Sequence, residues 1–329
     1  MLTLRENMRL VYEHKTPEYL PLWSDIQRIQ TVEPGLKTVV YDGKKPGAEE
    51  VDWFGQNWVY DTVTNAYTPD SRNYIVKDMA NWRDYVEIPD PDSLDWDMIF
   101  ANSGVEADTS KFVRVKDGTG LWERALALVD TTELLCALIE EPEACEDFFR
   151  TIADHKIKIH NQYIKRYRPD CICMHDDYGS GQWLFMSPDN WRDLIKPHLQ
   201  RVVENITAQG VLYEHHCCGY MVPLAEEIAE MGTAAWGTVH TSNDPCACKE
   251  KFGHKLAFVG GILDGQRYDL AETTEEEIRA DVRKWAEKMM PGVGTVMSAR
   301  CMVYPERNKI ITDELLKSAQ QYFKHRRPE

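Results

Sequence analysis

Short apolar runs alternate with amphipathic stretches through the second half of the chain. The apolar runs predict strands at 211–216, 233–240, 256–261 and 294–301, and a strand that runs into a polar loop at 171–179. Helical periodicity marks the stretches at 187–210, 222–232, 274–290 and 305–323, and Pro197 is expected to kink or break the first of these helices. Since strands too apolar to be half exposed alternate with helices, the pattern predicts a parallel sheet covered by helices.

The first half of the chain is less regular. Residues 19–24 and 112–120 are its candidate strands, while residues 40–100 are rich in Trp, Asp and Pro and indicate an insertion or cap. Eight strands complete the pattern, so we predict a (β/α)8 TIM barrel over residues 1–329, a single domain with an irregular N-terminal insertion at about 40–100. A doubly wound open sheet is the alternative, but no GxGxxG turn follows an early strand.

Charge and hydropathy narrow the function classes. The formal net charge of −16 repels phosphate backbones and argues against nucleic-acid binding. The longest apolar runs are far shorter than the roughly 18 residues that span a bilayer. The N-terminus MLTLRENMRL has polar residues where a signal peptide needs apolar ones, so a cytoplasmic protein is expected.

The stretch YEHHCCG at 213–219 carries the strongest candidate chemistry. His216 and Cys218 stand two residues apart at a strand end, so they can face one ion together, and Cys301 stands at the end of the last strand. Strand ends meet at the mouth of a barrel. One imidazole and two thiolates suit Zn²⁺ and leave a position for substrate. Glu214 and Cys217 are expected to face the other side of the strand.

The same residues carry a family resemblance. HHCCG (215–219) resembles the HxCG element of the uroporphyrinogen decarboxylase superfamily, in its corrinoid-dependent methyltransferase branch. Segments 176–197, 239–264 and 298–308 resemble that branch in the same order, and residues 3–22 resemble its start. The similarity covers most of the chain and is strongest from about residue 171 onward.

The resemblance implies a zinc ion held by His216, Cys218 and Cys301 that takes part in methyl transfer to or from cobalamin (a corrinoid) on a separate corrinoid protein. His240 is a candidate fourth ligand, because it ends the next strand where related zinc methyltransferases place an oxygen ligand. EHHCCG (214–219) approximates the cobalt-ligating DxHxxG loop, but Glu replaces Asp and no separate corrinoid domain follows. The corrinoid is therefore expected on the partner.

The decarboxylases of the superfamily use an arginine-rich N-terminal segment to hold the carboxylates of a tetrapyrrole. Here the first 40 residues contain only Arg5, Arg9 and Arg28, without that grouping. The negative net charge also suits a multiply anionic substrate poorly, so a uroporphyrinogen-type decarboxylase is a weak alternative.

The preferred function is transfer of a methyl group from a small O-methylated compound, with an aromatic methyl ether favoured, to cob(I)alamin. Acidic residues near the mouth, Asp176 and Asp177, are candidates for proton transfer at the leaving oxygen, and Tyr178 and His175 also lie at the strand end. Aromatic residues of the first half are candidate pocket walls: Trp23, Trp53, Trp58, Tyr60, Trp82 and Trp96.

Two alternatives to this prediction stay open. A methylcobalamin:thiol methyltransferase would transfer the methyl group from methylcobalamin to a thiol acceptor, which zinc binds as thiolate. A non-catalytic zinc-binding or corrinoid-docking barrel would hold the metal without turnover.

Overall fold

The computed structural model describes residues 1–30, 49–61, 66–292, 294–323 and 325. Its strands are β1 (Ile26–Gln30), β2 (Glu49–Val51), β3 (Asn57–Asp61), β4 (Ala66–Pro69), β5 (Phe112–Asp117), β6 (Cys171–His175), β7 (Leu212–His216), β8 (Ala235–Val239), β9 (Ala257–Ile262) and β10 (Thr295–Ser298). Its α-helices are α1 (Leu4–Tyr12), α2 (Trp96–Ser103), α3 (Leu121–Leu128), α4 (Thr131–Glu140), α5 (Pro142–Tyr167), α6 (Pro188–Leu194), α7 (Lys196–Thr207), α8 (Ala225–Glu230), α9 (Pro245–Phe252), α10 (Gly265–Tyr268), α11 (Glu275–Met289) and α12 (Arg307–Ala319). Among the described residues, none of these helices has the length and apolar character needed to cross a membrane.

Seven parallel strands form one curled sheet in the order β1-β5-β6-β7-β8-β9-β10. Spatial order follows chain order throughout, as in a barrel, whereas a doubly wound sheet reverses direction at a switch point. The predicted TIM-barrel-like fold is therefore confirmed, with seven strands of the main sheet in the described ranges where eight are expected. The strands are buried over most of their length, which the near-continuous apolar runs predict.

The strand β1 differs from the sequence prediction. Residues 19–24 are not a strand; a short 3-10 turn at Trp23–Asp25 precedes β1, and Asp25 fixes it by accepting a hydrogen bond from the Leu22 N–H at 2.9 Å. The apolar residues before the turn pack as loop, while the more polar IQRIQ forms the strand. The predicted break at Pro197 is confirmed, because α6 ends at Leu194 and α7 begins at Lys196.

An extra antiparallel sheet, β2-β3-β4, stands in the segment predicted as an insertion. Residues 31–48 and 62–65 of that region lie outside the described part. The loop after β2 is tied to the barrel helix α3 by a fully buried ion pair, Arg124 Nη1 to Asp52 Oδ2, at 2.6 Å. The indole N–H of Trp58 donates to the same carboxylate oxygen at 2.9 Å. The small sheet is thereby held against α3.

Helix α1 closes the amino-terminal end of the barrel. Its buried side chains Met8, Val11 and Tyr12 pack against inward-facing residues of the strands. The inward-facing set comprises Ile26, Phe112, Cys171, Ala235, Ala257, Val259 and Val296. The floor of the barrel is therefore a packed apolar layer, and any open space lies toward the carboxyl ends of the strands.

A buried polar layer lies directly above this floor. The Arg114 guanidinium donates to Glu214 Oε2 at 2.8 Å and Oε1 at 2.5 Å, and the Tyr12 hydroxyl donates to Glu214 Oε2 at 2.7 Å. Glu214 therefore shares the inner face of β7 with His216, and its expected placement on the other side is wrong. In a pleated strand, residues two apart face the same side, so the side chains of Glu214 and His216 both point into the barrel. Cys217 faces the surrounding helices.

Most of the aromatic residues expected to line a pocket are packing residues instead. Trp58, Tyr60, Trp82 and Trp96 are each at least nine-tenths buried. Trp82 packs edge-on against Phe148, Trp96 packs against Phe100 and Tyr163, and Trp53 packs against His155. Of the six aromatic residues, only Trp23 lies beside the inward-facing arginines of the barrel.

Candidate metal centre

The carboxyl ends of β6 and β7 bring four metal-binding side chains together. His175 and His216 are register partners at the ends of these neighbouring strands, with ring centroids 4.5 Å apart. Asp177 and Cys218 follow two residues later on each loop. One ligand atom from each of the four residues lies within 4.8 Å of the others. Two imidazoles, a carboxylate and a thiol thus face one point.

Asp177 links the group. Its Oδ2 lies 3.2 Å from His175 Nε2 and 2.9 Å from Cys218 Sγ, while its Oδ1 accepts the Cys218 N–H at 2.8 Å. The His175 Nε2 atom is buried and has no partner with hydrogen-bond geometry. A buried nitrogen without such a partner, next to oxygen and sulfur donors, fits the donor set that Zn²⁺ takes from His, Asp and Cys.

The electrostatics keep His216 neutral and Asp177 ionised. Burial and the positive charges of His175 and Lys116 hold the pKa of His216 well below its usual range. Burial alone would raise the pKa of Asp177, but its contacts with His175 and Cys218 lower it overall. Burial and the Asp177 charge raise the pKa of the Cys218 thiol. His216 and Asp177 are thus in the forms that bind a metal, while His175, whose pKa is raised by Asp177 against the effect of burial, would have to lose its proton. A bound cation would favour the neutral His175 imidazole and the Cys218 thiolate.

Thr238 orients the His216 ring. Its hydroxyl lies 3.3 Å from His216 Nδ1, which leaves Nε2 directed at the other donors. Thr238 has φ +58°, in the left-handed region that a β-branched residue rarely adopts. Strained backbone of this kind persists where surrounding structure holds it, and it is frequent at functional sites.

The glycine that ends YEHHCCG permits two loops to cross. A Cβ at Gly219 would lie 1.8 Å from the Gly179 carbonyl oxygen, and a Cβ at Gly179 would lie 2.2 Å from the Tyr220 oxygen. The Tyr220 N–H also donates to the Ser180 carbonyl at 2.7 Å. Close backbone contact thus fixes the β6 and β7 loops against each other, and with them Asp177 and Cys218.

Two of the predicted catalytic residues lie behind the metal group. Asp176 is fully buried and accepts hydrogen bonds from the N–H groups of Leu121 and Glu123 at the start of α3, and from the Tyr178 hydroxyl at 2.7 Å. Burial raises the pKa of Asp176 to about 6. Tyr178 is also fully buried and stacks on His215. The contacts give both residues positioning roles, and their direct part in catalysis stays a prediction.

Glu123 is a site residue that the sequence did not indicate. Its half-buried carboxylate stands on the first turn of α3 beside the metal group. Burial raises its pKa to about 7; the His175 charge opposes this shift, and the charges of Asp177 and Asp176 add to it. The residue lies on a helix far from the HxC motif in sequence, so only the fold brings it to the site.

Cys301 and His240 lie outside the group of four. The Cys301 backbone is held by Asn308, which accepts its N–H and donates to its carbonyl, both at 2.9 Å. Burial, together with the nearby charge of Asp269, raises the pKa of the Cys301 thiol to about 11. His240 is exposed, and its Nδ1 accepts the Ser242 N–H at 3.2 Å. Metal binding by these two residues stays a prediction.

Similarity to known proteins is distant but covers the whole site. A methyltransferase from Methanosarcina mazei has a similar fold, with a TM-score of 0.66 and 15% identity over 98% of this chain and 99% of that chain. A sugar phosphate isomerase/epimerase from Parabacteroides distasonis is much less similar, with a TM-score of 0.30 and 10% identity over 79% and 82% of the two chains. No curated protein matches the sequence.

A family model described as uroporphyrinogen decarboxylase (URO-D) matches residues 119–322. The match covers more than half of the chain and includes all four residues of the metal group. Family and fold together support an enzymatic role for the protein. The chain belongs to the uroporphyrinogen decarboxylase (URO-D) family.

Proposed function

We propose that this protein is a zinc-dependent methyltransferase that moves a methyl group from a small O-methylated compound to the cob(I)alamin of a separate corrinoid protein. The observation that carries the proposal is the group His175, Asp177, His216 and Cys218, whose ligand atoms lie within 4.8 Å of one another at the barrel mouth. The fold shared with a methyltransferase and the HxCG element are consistent with it.

The four residues would hold the ion as two nitrogens, one oxygen and one sulfur. Bound zinc supplies Lewis acidity, which stabilises the oxygen that leaves when the methyl group departs. A zinc site with four protein ligands must open one position for a substrate oxygen. Asp177 would be the ligand to give way, because the Cys218 backbone N–H remains an alternative partner for its carboxylate.

Cys301 offers the other way to complete the shell. It lies in the loop after β10, and the carboxyl end of that strand is also at the barrel mouth. In this arrangement His216, Cys218 and Cys301 would bind the ion, as the family resemblance implies, and Asp177 would keep its hydrogen bond from the Cys218 backbone N–H. Comparing the metal content of single variants at 177 and 301 separates the two sets.

The remaining residues of the site hold these donors in place. Thr238 orients His216, and the crossing of Gly179 and Gly219 fixes the loops of Asp177 and Cys218. Asp176 ties α3 to the same loop, which keeps the Glu123 carboxylate beside the group. The chain thus supplies a rigid set of ligands, while the nucleophile is the cobalt of the partner's cofactor.

A turnover assay with free cob(I)alamin tests the proposal. The purified protein is given a panel of methyl ethers, and methylcobalamin formation is followed by its absorption spectrum; methylcobalamin with a panel of thiols tests the reverse direction. We expect methylation of cob(I)alamin by at least one ether, lost in Cys218→Ala. Consumption of methylcobalamin by thiols alone would reverse the proposed direction, and turnover in neither assay would contradict methyl transfer.

A further inference from the structure

A buried asparagine lies beside the loop that carries Cys218. Asn243 ends the 3-10 turn Thr241–Asn243, in the loop between β8 and α9. It is 2% exposed, although its neighbours Ser242 and Asp244 are exposed. A buried side-chain amide is costly unless its donor and its acceptor are both paired, so the partners of Asn243 indicate its role.

The side-chain amide of Asn243 pairs with two backbone groups of the loop after β7. Its Nδ2 donates to the Gly219 carbonyl oxygen at 2.9 Å, and its Oδ1 accepts the Met221 N–H at 2.9 Å. One side chain thus forms the pair of hydrogen bonds that a neighbouring strand would form. Because Gly219 directly follows Cys218, this contact fixes the backbone on the C-terminal side of the thiol.

The backbone on the N-terminal side of Cys218 is held as well. The Trp236 indole N–H donates to the Cys217 carbonyl at 2.8 Å, and the Cys217 N–H donates to the Gly237 carbonyl at 3.3 Å. The Cys218 N–H itself donates to Asp177 Oδ1 at 2.8 Å. Cys218 is exposed, yet its backbone is therefore fixed before, at and after the thiol.

The turn that carries Asn243 is itself tied to the end of β8 and to α9. The Asn243 N–H donates to the His240 carbonyl at 3.0 Å, and the His240 ring caps the turn by accepting the Ser242 N–H at Nδ1. The Cys248 thiol on α9 donates to the Asn243 carbonyl at 3.1 Å. Asn243 is therefore a fixed point against which the loop after β7 is held.

The position of a metal-binding side chain depends on surrounding contacts of this kind. Loss of a contact that orients a ligand typically weakens metal binding by about 10- to 100-fold. We propose that Asn243 is a positioning residue for the Cys218 thiolate, and that it holds the loop after β7 so that the sulfur faces His175 and His216. The bound zinc of the proposed function, on which this inference rests, then depends on a side chain that is not itself a ligand.

Asn243→Leu tests this role, because leucine has about the same size as asparagine and forms neither hydrogen bond. We expect the zinc affinity of the full-length variant, measured by competition with a chromogenic chelator, to fall by about 10- to 100-fold. With Co²⁺ bound in place of zinc, the absorption from sulfur-to-metal charge transfer should fall as well. Since that absorption reports the bond between sulfur and metal, a loss of overall stability alone leaves it intact.

Asn7→Leu is the matched control. Asn7 is fully buried on α1 at the opposite end of the barrel, where it donates to the Tyr19 carbonyl at 2.9 Å and accepts the Glu18 N–H at 2.8 Å. Its replacement should destabilise the protein in urea but keep the zinc affinity and the Co²⁺ spectrum. Asn243→Ser and Asn7→Ser are a milder second pair, in case a leucine variant does not fold, and the same difference is expected because serine is too short to reach both backbone groups.

Native zinc affinity and native charge-transfer absorption in the Asn243 variants would overturn the positioning role, and so would equal losses in the Asn7 and Asn243 variants. Methyl transfer by the unmodified protein together with either of these results would leave the proposed function standing. Zinc binding that depends on Asn243, without any methyl transfer, would support the positioning role while the proposed function fails.

Discussion

The carboxylate of Asp177 connects both strands of the metal group. One of its oxygens lies near His175 and the Cys218 thiol, and the other accepts the Cys218 N–H. Its neighbour Asp176, one residue earlier, faces the opposite way and caps α3. These two consecutive aspartates thus have different surroundings, because their side chains point in opposite directions in the loop after β6.

Variants at the candidate ligands test which side chains hold the ion. We expect His216→Ala and Cys218→Ala to reduce bound zinc from about one equivalent to near zero while the circular dichroism of the barrel is kept. Asp177→Asn should lower the zinc content if the four-residue group binds the ion, and Cys301→Ala should do so if the family set binds it. Unchanged zinc in both the His216 and Cys218 variants would refute the metal centre.

Thr238→Val should weaken metal binding by about 10- to 100-fold, because the hydrogen bond that orients the His216 ring is lost while the branched shape is kept. Competition with a chromogenic zinc chelator measures the affinity. Thr233→Val is the matched control, at a buried threonine two residues before β8 whose hydroxyl has no hydrogen-bond partner among the described residues. Equal affinities of both variants and the unmodified protein would show that Thr238 has no orienting role.

At the residue scale, the sequence predicted His216 and Cys218 as partners two residues apart at one strand end. It did not single out Asp177 as the partner of Cys218, or Glu123 as a neighbour, because these contacts depend on how two loops cross and where α3 begins. His175 lies opposite His216 only through the register of β6 with β7. A local sequence pattern does not predict the register between two strands.

Helix α3 contacts both the small β2-β3-β4 sheet and the metal site. Its Arg124 is paired with Asp52 of the loop after β2, and the next residue toward its start is Glu123. Its N-terminus is tied to Asp176 through two backbone N–H groups. Gly120 is required there, because a Cβ would lie 2.4 Å from the Asp176 carboxyl carbon.

Asp52→Asn should destabilise the fold by about 3–5 kcal/mol, because the buried Arg124 charge loses its carboxylate. Urea unfolding at neutral pH measures the change in the free energy of unfolding. The control is Asp147→Asn, which removes an acid paired with Arg83 on the surface and should have little effect. Similar stabilities of the two variants would mean that the buried pair does not anchor the cap.

At the element scale, strands β6 to β10 were predictable because each is a nearly continuous apolar run between helices. Strand β1 was not predictable, since IQRIQ is mostly polar and its two apolar residues lie three apart, which is neither a continuous apolar run nor a strand alternation. The neighbouring YLPLW is more apolar, yet it forms a loop that packs against the core. Tertiary contacts of the first strand outweigh its local pattern.

The molecule as a whole carries buried ionic groups that couple its stability to pH. Asp117, at the end of β5, binds Lys156 Nζ at 3.0 Å and His160 Nε2 at 2.8 Å, and all three side chains are buried. Burial alone would raise the pKa of Asp117, but Lys156 and His160 more than offset it and hold the pKa well below its usual range. A depressed folded-state pKa stabilises the protein where the unfolded carboxyl is ionised.

This linkage predicts acid sensitivity of a defined sign. The stabilisation by Asp117 is fully present above the unfolded pKa of about 3.9 and is lost as pH falls toward the folded value. The difference in unfolding free energy between the native protein and Asp117→Asn should therefore be largest near neutral pH and shrink below about pH 4. Urea titrations at several pH values measure it; a difference that stays constant with pH would contradict the assignment.

We propose that a metal bound at the ends of β6 and β7 is required for methyl transfer to cob(I)alamin. The most direct measurement is methylcobalamin formation by metal-stripped protein during stepwise addition of zinc. We expect no turnover without metal, and a rise in proportion to bound zinc that levels off at about one equivalent per chain. Full turnover in stripped protein, with no response to zinc, would contradict it.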